Sequence, residues 1–112
     1  MIAFSKTPGQ NRGRPKVLVV DDERVIADTL AVILRQSGFE TATAYDGMEA
    51  VQTATAWHPD LLISDVVMPR MNGIEAALLI RASIPDCKVL LFSGQASTAE
   101  MLVTCPRILI HS

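Results

Sequence analysis

The chain has 112 residues, of which 49% are hydrophobic, 20% charged and 4% aromatic, with a formal net charge of -2. That length holds one small domain and that composition can bury a core, which excludes a disordered chain and a separate effector module within it. No apolar run reaches membrane-span or signal-peptide length, and Cys87 and Cys105 are too few for a disulfide scaffold or a zinc site, so a soluble, cytoplasmic protein is expected.

Charge is unevenly spread. Residues 1–16 carry Lys6, Arg12, Arg14 and Lys16 and no acid, while the rest holds six basic and twelve acidic side chains. With Pro8, Gly9, Gly13 and Pro15, residues 1–15 read as a flexible basic leader before an acidic domain, rather than a nucleic-acid arm.

From Lys16 onward two patterns alternate. Val17-Leu18-Val19-Val20, ended by Asp21-Asp22, predicts a strand buried on both faces, as in a parallel sheet. Over Glu23 to Gln36 the period changes: Ile26, Leu30, Ile33 and Leu34 predict the inward face of a helix that stops at Gly38. Phe39 to Ala44 alternates and contains threonines, as an edge strand does. Asp46-Gly47 turns the chain into a second helix, Met48 to Trp57, with Met48, Val51, Ala54 and Trp57 as candidates for its inward face and Pro59 blocking its continuation.

Asp60 to Asp65 holds Leu61-Leu62-Ile63, a second buried strand that again ends in an aspartate. Pro69 and Asn72-Gly73 mark a loop, with Asn72 as N-cap for a helix from Ile74 to Ser83. Lys88 to Phe92 is a third buried strand, closing at Ser93-Gly94. Beyond it the pattern weakens to two helical turns over Ser97 to Thr104, the break Cys105-Pro106, and a stub of strand at Arg107-Ile108-Leu109-Ile110. Strands alternating with helices of this length predict an α/β fold, a doubly wound parallel sheet with helices on both faces.

Three of these strands end in polar residues: Asp21-Asp22, Asp65 and Ser93. In an open parallel sheet those ends share one edge, and ligands bind in the crevice outside it. Three carboxylates there repel one another unless a cation intervenes, and Mg²⁺ suits carboxylates, waters and a phosphate. A carboxylate beside such an ion is also a nucleophile toward a phosphoryl group. The plain alternatives are capping, which Asp22 before Glu23 suits, and ordinary turn chemistry at Ser93-Gly94.

Val17-Leu18-Val19-Val20-Asp21-Asp22-Glu23, then Asp60 through Gly73 (Asp60-Leu61-Leu62-Ile63-Ser64-Asp65-Val66-Val67-Met68-Pro69-Arg70-Met71-Asn72-Gly73), then Leu90-Leu91-Phe92-Ser93-Gly94 resemble a response regulator receiver domain. The resemblance covers Lys16 to about Gly94, and the stretch from Asp60 to Gly73 is its most specific part. It implies the flavodoxin-like receiver fold and a two-component phosphorelay. Asp65 then accepts a phosphoryl group from a histidine kinase or histidine phosphotransfer protein. Asp22 is implied as a direct Mg²⁺ ligand, with Asp21 acting mainly through water and Asp65 and the Val67 backbone carbonyl completing the metal site. Ser93 is implied as the switch hydroxyl, and Met68, Pro69 and Gly73 as parts of the loop that shapes the pocket. No enzyme activity is implied beyond self-phosphorylation and autodephosphorylation at Asp65.

The chain departs from the family pattern near its end. Receivers place a lysine at the end of the fifth strand to pair with the phosphoryl group, but the lysines here are Lys6, Lys16 and Lys88 alone. His111 falls nearest the vacant place, and no aromatic switch residue or final helix follows. The expectation is a receiver over residues 16–112 that is truncated or divergent after about residue 104, lacking the last helix and with the fifth strand reduced or absent. One sheet face is then uncovered. Four or five bare apolar side chains forfeit about 6–15 kcal/mol, as much as a domain's whole stability, so a marginal or aggregation-prone protein is expected unless a partner covers them. Output is expected through a protein partner, with no direct DNA binding. The alternative reading is a non-phosphorylated interaction module or a non-functional remnant, binding a kinase through Ala27, Leu30 and Leu34 of the first helix. A metal-dependent phosphatase fits less well, since no second acid follows Asp65 at a short interval.

Overall fold

The computed structural model describes residues 13–93 and the backbone of 109–110. Residues 1–12 of the leader expected over 1–15, the helix expected at 97–104, Cys105 and His111 lie outside the described residues. The elements run β1 (Lys16–Val20), α1 (Arg24–Gln36), β2 (Glu40–Ala44), α2 (Gly47–Trp57), β3 (Leu61–Asp65), α3 (Gly73–Ser83), β4 (Lys88–Phe92) and β5 (Leu109–Ile110). All strand pairs are parallel, in the order β2-β1-β3-β4-β5.

Central strands buried on both faces must be aliphatic throughout, and Val17, Leu18, Val19 and Val20 of β1 are all fully buried. β2, at the sheet edge, alternates through Thr41 and Thr43 as an edge strand does. α1 covers one face, over Val17, Val19, Leu61 and Ile63. α2 and α3 cover the other, over Leu18, Val20, Leu62, Val89 and Leu91. No described helix is long and apolar enough to cross a membrane.

Two helices keep part of their predicted inward faces, with Leu34 of α1 and Ala54 of α2 buried and Leu30 and Val51 packed at the core's margin, but rest otherwise on small residues. On α1 the buried residues are Ala27, Ala31 and Leu34, while Ile26 and Ile33 are 41% and 52% exposed. The alanines let the helix lie close on the sheet, and the large side chains flank that contact. Ala27 and Leu34 are therefore core and cannot serve as a kinase-docking surface. On α2, Gly47, Ala50 and Ala54 are buried and Met48 is exposed, for the same reason. The helix also starts one residue early, because Asp46 accepts the Glu49 N–H at 2.7 Å and acts as N-cap. Asn72 caps α3 as expected, in a full capping box with Glu75. The fifth strand is present as two residues, Leu109 and Ile110, paired with Leu90 and Leu91.

Candidate functional site

β1 connects to β2 on one side of it, whereas β3 lies on its other side, so the strand order reverses between β1 and β3. A crevice opens at the carboxyl ends of strands at such a point. The register pairs Val20 with Ser64, which sets Asp21 and Asp65 side by side at that edge. The result is an acidic cluster: carboxylate oxygens of Asp21, Asp22 and Asp65 lie within 4.8 Å of one another.

Each acid is held differently. Asp21 is buried, and its Oδ1 accepts the Glu23 N–H at 2.9 Å. Glu23 is the N-cap of α1 but its side chain makes no capping bond, so Asp21 takes up an amide at the helix entrance and Asp22 stays exposed, free of the capping duty its sequence position suggested. Asp65 is half-buried, and its Oδ1 accepts the Val67 N–H at 3.3 Å. Burial pushes the Asp65 carboxyl up to about 6, and the neighbouring charges of Asp21 and Asp22 push the same way against the Val67 and Val66 amides. Asp21 is also raised, first by burial, against the Glu23 amide. Among the described residues no lysine or arginine ion-pairs with the cluster. A hard divalent cation suits this donor set, because it offers the compensating charge that the protein does not.

The loop after β3 is held tightly against the site. The Gly73 N–H donates to the Val66 carbonyl at 2.8 Å, and the Val66 N–H donates to the Phe92 carbonyl at 2.9 Å. A Cβ on Gly73 would run into the Asp65 carbonyl oxygen and stand 2.9 Å from the Ser64 hydroxyl. Ser64, fully buried, donates to that same Asp65 carbonyl at 2.9 Å. Sequence reasoning passed over Ser64; its one signal was a hydroxyl inside an apolar strand. Val67, whose backbone carbonyl the resemblance assigned to the metal site, stands two residues beyond Asp65 with its side chain exposed. Ser93, half-buried, stands one residue beyond Phe92, the cross-strand partner of Asp65. Lys16 and Lys88 open β1 and β4 at the opposite edge, and Lys16 Nζ donates to the Trp57 carbonyl there at 3.3 Å.

Known proteins resemble this chain in sequence and in fold. The transcriptional regulatory protein PrrA of Mycobacterium tuberculosis is 42% identical over 86 residues, which is 77% of this chain and 37% of PrrA. The DNA-binding response regulator MtrA of the same species is 32% identical over 90 residues, 80% of this chain and 39% of MtrA. The chain thus spans about two fifths of the length of these curated relatives. Both are named as regulators of transcription or binders of DNA, so they lend no support to excluding DNA binding. Among solved structures, chemotaxis protein CheY4 of Vibrio cholerae superposes with a TM-score of 0.76 at 29% identity, over 88% of this chain and 85% of that one. Response regulator TrrA of Thermotoga maritima, solved in complex with Mg²⁺ and BeF, superposes at 0.73 with 31% identity, over 88% and 87%. The family described as response regulator receiver domain matches residues 17–107, and the chain belongs to that family.

Proposed function

We propose that this receiver domain accepts a phosphoryl group on Asp65 from the phosphohistidine of a histidine kinase or histidine phosphotransfer protein, in a Mg²⁺-dependent reaction. The observation that carries the reading is the convergence of Asp21, Asp22 and Asp65 within 4.8 Å with no described cation paired to them. Asp22 and Asp65 would hold the ion directly with the Val67 carbonyl, and Asp21 chiefly through water. When bound, Mg²⁺ supplies positive charge against the transferring phosphoryl group and keeps the carboxylates ionised.

The chain's own residues do the rest. An Asp65 oxygen forms the bond to phosphorus as the bond to the donor's imidazole nitrogen breaks. With its carboxyl near 6, Asp65 is mostly ionised at neutral pH and so is a competent nucleophile. The Val67 amide fixes the orientation of the carboxylate. Ser93, next to the cross-strand partner of Asp65, would serve as the switch hydroxyl that turns toward an aspartyl phosphate. The receiver unit is taken as residues 16–112, preceded by a basic leader over 1–15, in a cytoplasmic protein.

Incubation with acetyl phosphate and Mg²⁺, read by intact mass and a phosphate-affinity gel, tests the reading. One phosphoryl group is expected on the wild type and none on Asp65→Asn or after chelation. Labelling that persists in Asp65→Asn would overturn it.

A further inference from the structure

The edge that receives a phosphoryl donor is acidic and the donor is an anion, so the position of cations around it decides how readily the two meet. Lys16 and Lys88 lie at the far edge of the sheet. Arg35 donates to the Thr41 hydroxyl at the end of α1, and Arg81 donates to the Pro85 carbonyl at the end of α3. Arg24, at the start of α1, is stacked 4.2 Å over the Tyr45 ring. Arg70, on the loop between β3 and α3, is placed differently.

Its backbone is left-handed, with φ at 66°, a region costly for any residue with a Cβ. The loop around it is anchored: the Met71 N–H donates to the Pro69 carbonyl at 2.8 Å, and Met71 lies so close to Gly47 that a Cβ there would come within 2.8 Å of it. The Arg70 conformation is thus imposed by fixed neighbours. Its side chain is 81% exposed and meets Asp46 at 3.9 Å, a long, wet ion pair of little energetic worth. Asp46 lies two residues beyond β2 and Arg70 five beyond β3, while β1 runs between those strands. The pair therefore joins the two loops that flank the end of β1, where Asp21 and Asp22 sit.

We propose that Arg70 is the anion-steering residue of this site. It draws the phosphorylated donor toward Asp65, with Asp46 as its resting counter-ion. The inference rests on Asp65 as phosphoacceptor. With acetyl phosphate as donor, an Asp65 carboxylate oxygen bonds to phosphorus while the phosphorus–oxygen bond to acetate breaks. Acetate leaves with the electron pair, and no proton need move. Arg70 takes no part in those bonds; it raises the local concentration of the dianion.

The test measures the second-order rate constant for phosphorylation of the full chain by acetyl phosphate with saturating Mg²⁺, across a range of ionic strength. Arg70→Ala is expected to react about threefold to fivefold more slowly at low salt, a difference that shrinks as salt screens it. Arg70→Lys, which keeps the charge, should retain most of the rate. Arg70→Gly suits the left-handed backbone, so its fold is secure, and it should lose as much rate as Arg70→Ala. The half-saturating beryllofluoride concentration in thermal melts should shift by a similar factor. A wild type that neither reacts nor responds to beryllofluoride would sink the phosphoacceptor reading and this inference with it. A wild type that reacts while Arg70→Ala matches its rate and salt dependence would overturn the role of Arg70 alone.

Discussion

Asp65 carries two opposed demands, since its charge serves the proposed chemistry and costs the fold. Its carboxyl, pushed up to about 6, lies above the ordinary value of the unfolded chain. The folded form therefore binds the proton more tightly, and stability falls as pH rises between about 4 and 6, remaining at its low plateau at neutral pH. Asp65→Asn removes that cost. In metal-free buffer it is expected to be more stable than wild type by about 1–2 kcal/mol at pH 7, after allowing for solvent at a half-exposed group, and equal to it near pH 4. Urea unfolding of both proteins at the two pH values checks this, and a variant less stable at pH 7 would contradict it. Gly73→Ala works through sterics instead: a Cβ there meets the Asp65 carbonyl, which is backbone and cannot rotate away, and crowds the Ser64 hydroxyl bonded to it. A loss of about 3 kcal/mol is expected in the same assay, with a weakened response to Mg²⁺. Of these residues the sequence named Asp65 and Gly73 through a dense local motif. It could not show that Asp21 spends an oxygen on the Glu23 amide, because that depends on how α1 enters from β1.

Whole elements were the most legible level, for a physical reason. Periodicity reports burial, and burial of β1 and β3 on both faces leaves continuous aliphatic runs. β4, read as a third such strand, buries Val89 and Leu91 on one face and leaves Leu90 and Phe92 partly exposed on the other. Helix faces were less legible: of the α1 stripe at Ile26, Leu30, Ile33 and Leu34, Leu34 is buried and Leu30 packs at the margin of the core, while Ile26 and Ile33 are exposed and the helix rests on Ala27 and Ala31. Side-chain size marks an apolar side but not the line of closest approach between helix and sheet. Capping was read correctly at Asn72, whose box with Glu75 satisfies two backbone amides at the start of α3. Asn72→Ala is expected to cost about 1 kcal/mol and Asn72→Asp almost nothing, measured by denaturant midpoint. A cost at Asp equal to that at Ala would show that the box does not stabilise the helix.

At the scale of the molecule, the displaced α1 stripe has a cost in solution. Val25, Ile26, Leu30, Ile33 and Phe92 line an open apolar groove of about 360 Å³ beside α1. Apolar surface gathered in this way drives association. The protein is expected to bind a hydrophobic dye and to self-associate with rising concentration. The double variant Ile26→Gln, Ile33→Gln should lose both properties while keeping its unfolding midpoint within about 0.5 kcal/mol, because both side chains are already half in water. Light scattering and dye titration check it. The pairing of β1 with β3 carries a different consequence, one of time. Asp21 and Asp65 meet only because Val20 stands opposite Ser64. A slip of one residue would carry Asp65 about 3.3 Å along the strand and turn its side chain to the other face. These partners are far apart in the chain, so their docking closes a long loop and belongs among the slower events of folding. The proposed divalent cation affinity would therefore appear only once that loop has closed in the correct alignment, and in a refolding experiment it would serve as a clock for the central pairing.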